Sequence, residues 1–183
     1  MSRSAIGDTT ELLRRTPELL RVLLAGVPET WTDTPDVPGG WRPRDVVGHL
    51  ITGEQSNWIP RAKRIIEDGT SRPFHTFDRF AHVARDADAS LEELLERFAR
   101  LRAENLAQLE GLVSEENLDR RGLHPALGEV TLRQLLTTWA VHDLDHVAQV
   151  FAGMAGSQDA EVGPWKVNLG ILLRREDPAA VAG

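Results

Sequence analysis

His142 and His146 stand four residues apart in the run VHDLDHVAQV. On a helix that spacing puts both imidazoles on one face, one turn apart. It is the spacing at which two helical histidines share one tetrahedral or octahedral metal ion. Gln149 follows His146 by three residues and lies close to the same face. At about 100° per residue, Leu132, Leu135, Leu136, Trp139 and Val150 form an apolar stripe. Asp143 and His146 fall inside that stripe, and His142 falls at its edge. Such groups are costly to bury alone, so either they satisfy one another by hydrogen bonding or a cation sits among them. The spacing leaves both readings open.

A tight metal site needs a third ligand, and His49 in VVGHLITGE is the best candidate. Gly48 and Gly53 flank it and leave room for another helix or a ligand to approach. Glu54 lies near the apolar face of the same segment. It could accept a hydrogen bond from a coordinated group or act as a general base; equally, it is a partly exposed helix glutamate. Asp143 could orient a ligand imidazole through its second ring nitrogen, as could Gln149. A buried aspartate serving an arginine or a helix terminus is an equal alternative. Trp58 and Trp139 could wall a pocket beside the ion or simply fill core. His75, His82 and His124 fall in connections and read as exposed or turn histidines. Phe74, Phe77 and Phe80 sit in a long connection, the kind of segment that forms a lid or a dimer contact.

Helices must position these groups, and helical periodicity dominates the chain. A first apolar stripe runs through TTELLRRTPELLRVLLAG, where Pro17 either opens the main helix or kinks a longer one. A second helix is expected from Pro43 to about Glu67, bent at Pro60. The stretch 68–89 reads as irregular, with one short helical piece near Phe80. A capping box at Ser90 and Glu93 opens a third helix carrying Leu94, Leu95, Phe98, Leu106 and Leu109. Residues 111–130 read as a connection with a helical turn near Ser114. A second capping box, Thr131 and Gln134, opens the fourth helix, which should stop near Gly153 or Gly156. A further helical segment is expected at about 162–176. No alternating strand pattern is visible. The expectation is one all-α domain over 1–183, a four-helix bundle, up-and-down or crossover, with a short extra C-terminal helix.

Three stretches of the sequence resemble the DinB-like (DinB/YfiT) superfamily of bacterial metal-binding four-helix bundles. They are WRPRDVVGHL at the second helix, LHPALGEVTLRQLL before the fourth, and HDLDHVAQ within it. TPELLRVLLAG near the start adds to the match, which spans about residues 10–155. The resemblance implies that His49, His142 and His146 hold one divalent ion, zinc or nickel, and leave a position for water or ligand. It also implies a homodimer. Similar proteins transfer low-molecular-weight thiols such as bacillithiol or mycothiol, or isomerise maleylpyruvate with mycothiol. Two departures stand out. Arg42 occupies the place where relatives often have a serine cap. Only about 25 residues follow the bundle, where the maleylpyruvate isomerases carry a further domain.

Composition narrows the chemistry. The 183 residues contain no cysteine and no tyrosine, so thiolate metal sites, disulfides and a cysteine nucleophile are excluded. Any reactive sulfur would come from a cosubstrate. The formal net charge of −7 gives no general attraction for a polyphosphate backbone, so no nucleic-acid partner is expected. With no long apolar run and no signal-like opening, the expectation is a cytoplasmic protein without a membrane partner. Three function classes follow for a small-molecule substrate: a metal-dependent thiol transferase, a hydrolase using metal-bound hydroxide, or a non-catalytic metal-binding stress-response protein. The transferase is the leading expectation because the resemblance implies it, and the missing cysteine fits a sulfur supplied by a cosubstrate.

Overall fold

The computed structural model describes residues 5–173. Helix α1 (Ala5–Leu24) starts earlier than the sequence suggests and continues through Pro17. Proline supplies no N–H to the carbonyl four residues back. That carbonyl belongs to Leu13, and it accepts instead from Arg102 Nη1 at 2.7 Å. The interior proline is thus compensated by a side chain from another helix.

The expected second helix is two helices, α2 (Pro43–Ser56) and α3 (Trp58–Asp68), separated at Asn57. Pro60 cannot donate to the Ser56 carbonyl, so the helix opens just ahead of the proline and does not bend across it. The break turns Trp58 back onto Gly53, where a Cβ would lie 3.0 Å from the indole nitrogen. At the start of α2, Asp45 accepts the Arg42 backbone N–H at 3.1 Å. The first turn is therefore closed without a serine.

Helix α4 (Ala81–Arg85) is the short piece expected near Phe80. Helix α5 (Leu91–Leu112) opens on the Ser90–Glu93 capping box, with both reciprocal hydrogen bonds present. Helix α6 (Leu132–Ser157) opens on the Thr131–Gln134 box in the same way. Beyond it, α7 (Asp159–Val162), a 3-10 segment (Gly163–Asn168) and α8 (Gly170–Leu173) replace the single expected helix. Gly163 has a positive φ of 55° and precedes Pro164, which interrupts a continuous helix there. Residues 174–176 of that expectation lie outside the described residues.

One element was not anticipated. Strands β1 (Arg121–His124) and β2 (Gly128–Thr131) pair antiparallel, Arg121 opposite Thr131. Each has four residues, too short to show alternation. The hairpin anchors the long connection after α3, because the Phe74 amide donates to the Leu123 carbonyl at 2.9 Å.

Four long elements make the bundle: α1, α2 with α3, α5 and α6. Both α1 and α2 pack on α5 and α6, so these two consecutive helices occupy opposite corners. The topology is therefore a crossover, with residues 25–42 bridging the corners. The apolar interior forms two clusters. One gathers Leu13, Ile59, Leu109, Leu132 and Trp139; the other gathers Leu20, Val47, Leu94, Phe98 and Val150. Between them, at mid-height on each helix, lies a polar layer.

Candidate metal centre

The polar layer is centred on Arg102, which is 1% exposed. Its guanidinium has five N–H donors, and the acceptors account for all of them. Nη1 donates to the Leu13 carbonyl and to Asp143 Oδ2, the latter at 2.6 Å. Nη2 donates to Asp143 Oδ1 and Glu54 Oε1, and Nε donates to Glu54 Oε1. Glu54 also accepts from Asn105 Nδ2 at 2.9 Å and Trp139 Nε1 at 3.2 Å. One side chain of α5 thereby ties down α1, α2 and α6. Glu54 lies five residues after His49 and Asp143 one after His142, so the same network fixes the two helix segments that carry the histidines.

Beside this layer, His49 from α2 and His142 and His146 from α6 converge. Their candidate ligand nitrogens lie within 4.8 Å of one another. His142 Nε2 stands 3.2 Å from His49 Nε2 and 3.1 Å from His146 Nε2. Tetrahedral zinc with bonds of about 2.0–2.1 Å would hold its nitrogens roughly 3.3 Å apart. The observed spacing suits one shared ion.

The opposite ring nitrogens explain which lone pairs face inward. His49 Nδ1 donates to the Arg79 carbonyl at 3.1 Å, and His146 Nδ1 donates to Gln149 Oε1 at 2.8 Å. Both Nε2 atoms are then free of protons in the neutral rings. His142 Nδ1 is buried and has no hydrogen-bond partner. Burial is the main cause holding His49 down to about 3 and His142 down to about 2, and it lowers His146 as well. Two imidazoles thus aim lone pairs at one point, and His142 Nε2 lies 3.1–3.2 Å from both of them. A single N–H on His142 Nε2 serves one neighbour at a time, whereas a cation satisfies all three nitrogens. The donor set therefore fits a divalent ion, with no Cys, Asp or Glu in the cluster.

Aromatic rings enclose the trio. The Trp41 ring centroid lies 4.5 Å from that of His49 and 6.1 Å from that of His146. Trp58 meets His142 edge-on at 5.1 Å and stacks on Trp139 at 5.6 Å. Phe77 meets His49 edge-on at 5.7 Å. Anchored at Phe74, the segment 69–80 thus brings Phe77 and the Arg79 carbonyl to His49.

Several expectations need correction. Both oxygens of Glu54 are engaged by the Arg102, Asn105 and Trp139 donors, and burial pushes its carboxyl up. It has no histidine among these partners, so it holds the frame and is not placed as a general base. Asp143 takes the arginine-serving alternative: it is fully buried on Arg102 and accepts no histidine proton. Gln149 is the residue that holds a trio imidazole from behind. His82 is not an exposed turn histidine. It is 2% exposed and lies edge-on to Trp41 at 4.9 Å, packed into the space left by Gly48. His75 is exposed beside Arg64, and His124 Nδ1 accepts the Ala126 and Leu127 amides in the hairpin turn. Trp41, Arg79, Arg102 and Asn105 were not anticipated. Arg102 sits at helical spacing between Phe98 and Leu106, a charge on the apolar face of α5, and that signal is visible in the sequence.

The model of the DinB superfamily matches residues 12–150. A relative from Bacillus licheniformis, named "Putative metal-dependent hydrolase", is 32% identical over 152 residues, covering 80% of this chain and 81% of its own length. Another of the same name from Geobacillus kaustophilus is 31% identical over 144 residues, covering 75% and 78%. A solved structure is described as "YfiT from Bacillus subtilis is a probable metal-dependent hydrolase with an unusual four-helix bundle topology". It superposes with a TM-score of 0.70 at 24% identity, covering 82% of this chain and 86% of that one. That likeness shows the all-α bundle fold.

Proposed function

The chain belongs to the DinB superfamily, and from that membership and the histidine trio we propose that it is a metal-dependent hydrolase of small esters or amides. His49, His142 and His146 would hold the ion; three imidazoles suit zinc, nickel, iron or copper, and the family resemblance points to zinc or nickel. The observation that carries the reading is the convergence of three Nε2 atoms from two helices, two of them on rings whose Nδ1 is tied to an acceptor. The curated relatives named as metal-dependent hydrolases support it. They favour hydrolysis over thiol transfer.

A bound divalent ion supplies Lewis acidity, polarising an acyl oxygen and lowering the pKa of water toward neutrality. The chain's own residues prepare the site for that chemistry. The Arg79 carbonyl and Gln149 fix the tautomers and ring directions of His49 and His146. Trp41, Trp58 and Phe77 exclude bulk water and keep the surroundings apolar, which strengthens electrostatic interactions at the trio. Arg102, Glu54 and Asp143 hold α2 and α6 at the separation the trio requires. In the net reaction the acyl–oxygen or acyl–nitrogen bond breaks, and water supplies OH to the acid and H to the alcohol or amine.

The test is turnover of a panel of chromogenic esters and anilides by zinc- and nickel-loaded protein without added thiol. Hydrolysis that disappears on chelation and in His142→Ala supports the reading. Turnover that requires an added thiol, or that persists undiminished in His142→Ala, overturns it.

A further inference from the structure

The guanidinium of Arg79 packs against Trp41 and Phe80, with its central carbon 5.2 Å and 5.3 Å from their ring centroids. Cation–π contact consumes no N–H donor, and among the described residues no side-chain N–H of Arg79 makes a hydrogen bond. Among the described residues no carboxylate pairs with Arg79, whereas Arg42, Arg85, Arg97 and Arg102 each hold one. Its position is also particular. The backbone carbonyl of Arg79 holds His49, and the indole it covers lies against His49 and His146. Its charge is felt at both of those imidazoles. Phe80, 56% exposed beside it, offers an apolar surface.

We propose that Arg79 is the specificity-determining residue of this site and that the substrate carries an oxyanion, a carboxylate or a phosphate, gripped by the free edge of its guanidinium. The proposal rests on the trio being the site of action. A planar fork of donors matches a two-oxygen anion, and charge-assisted pairs of this kind are about twice as strong as neutral hydrogen bonds. The net charge of −7 repels anions only diffusely. At physiological salt such repulsion is screened beyond about 8 Å, so a cation in direct contact prevails. The neighbouring Phe80 and Trp41 rings favour an apolar group next to the anion. The substrate class is thus a small ester or amide with one anionic end and one apolar part.

The experiment is calorimetric binding of three probes: N-benzoylglycine, its neutral primary amide, and phenyl phosphate. Each is titrated into metal-free and zinc-loaded protein. Wild type should bind at least one anionic probe about tenfold more tightly than the neutral amide, in both metal states. Whichever anion binds more tightly identifies the oxyanion. Arg79→Gln should erase the preference while zinc content stays unchanged, and Arg79→Lys should restore part of it. If Arg79→Gln loses zinc, the metal-free titrations and Arg79→Lys decide the question. No preference in wild type overturns the proposal. So does a preference that survives in Arg79→Gln, or one confined to zinc-loaded protein, which would assign the anion to the metal. Binding is read without turnover, so a dead hydrolase with Arg79-dependent anion binding would refute the reaction and leave this inference standing.

Discussion

The guanidinium of Arg102 donates to the carbonyl of Leu13 at 2.7 Å, the carbonyl that Pro17 leaves without its helical donor. A defect in α1 and the charge at the centre of the bundle therefore satisfy each other. Because the same guanidinium holds Glu54 and Asp143, a single residue connects the four corners of the fold at the height of the histidines.

Removing that connector strands two buried carboxylates. Loss of one partner of a buried ion pair typically costs about 3–5 kcal/mol. Arg102→Met should lower the unfolding free energy by that order in urea titrations. Adding Glu54→Gln and Asp143→Asn to the same chain should recover part of it, since the uncompensated charges are then gone. Arg102→Lys should also destabilise, because an ammonium cannot reproduce five donors in one plane.

Gln149 gives a finer test of how the trio is aimed. Its Oε1 accepts from His146 Nδ1, and loss of such a partner typically weakens metal affinity about 10–100-fold. Gln149→Leu should show that loss in competition with a chromophoric zinc chelator, with fold stability little changed. Gln149→Glu keeps an acceptor and should retain tight binding.

The depressed histidines make stability depend on pH in a defined direction. In the unfolded chain histidine titrates near 6.5, whereas the fold holds His49 down to about 3 and His142 to about 2. As pH falls below 6.5, the unfolded state takes up protons that the metal-free native state refuses. Stability is therefore full above 6.5 and is lost as pH drops toward the folded values. The slope is up to ~1.4 kcal/mol per pH unit for each histidine. The urea midpoint of metal-free protein should fall between pH 7 and pH 5. His142→Gln removes one titrating group and should make that fall shallower.

Much of this was legible in the sequence. The capping boxes at Ser90 and Thr131 announce α5 and α6 because cap chemistry is local. The helical stripe places His146 and Asp143 inside the core face, and both are buried there. The hairpin was not legible: its strands are four residues long and Gly122 sits in one because a Cβ would strike Ile65 at 2.6 Å, a tertiary reason. The roles of Trp41 and Arg79 were hidden for a similar reason. Both lie in connections, where no periodicity tells which way a side chain faces. Trp41 does stand just before the cap residue of α2, a position from which apolar side chains fold back onto their helix. The sequence leaves two readings open for Asp143 and misses the frame-holding role of Glu54, because their partner Arg102, the odd charge on the apolar face of α5, goes unrecognised.

The proposed function requires three imidazoles that share one ion across two helices. Zinc titration of metal-free protein, followed by metal analysis after gel filtration, should find one ion per chain in the wild type. His49→Ala contributes nothing to α6 yet should abolish stoichiometric retention, as His142→Ala and His146→Ala should. A wild type that retains no divalent ion, or a His49→Ala protein that holds zinc with undiminished stoichiometry and affinity, would contradict it.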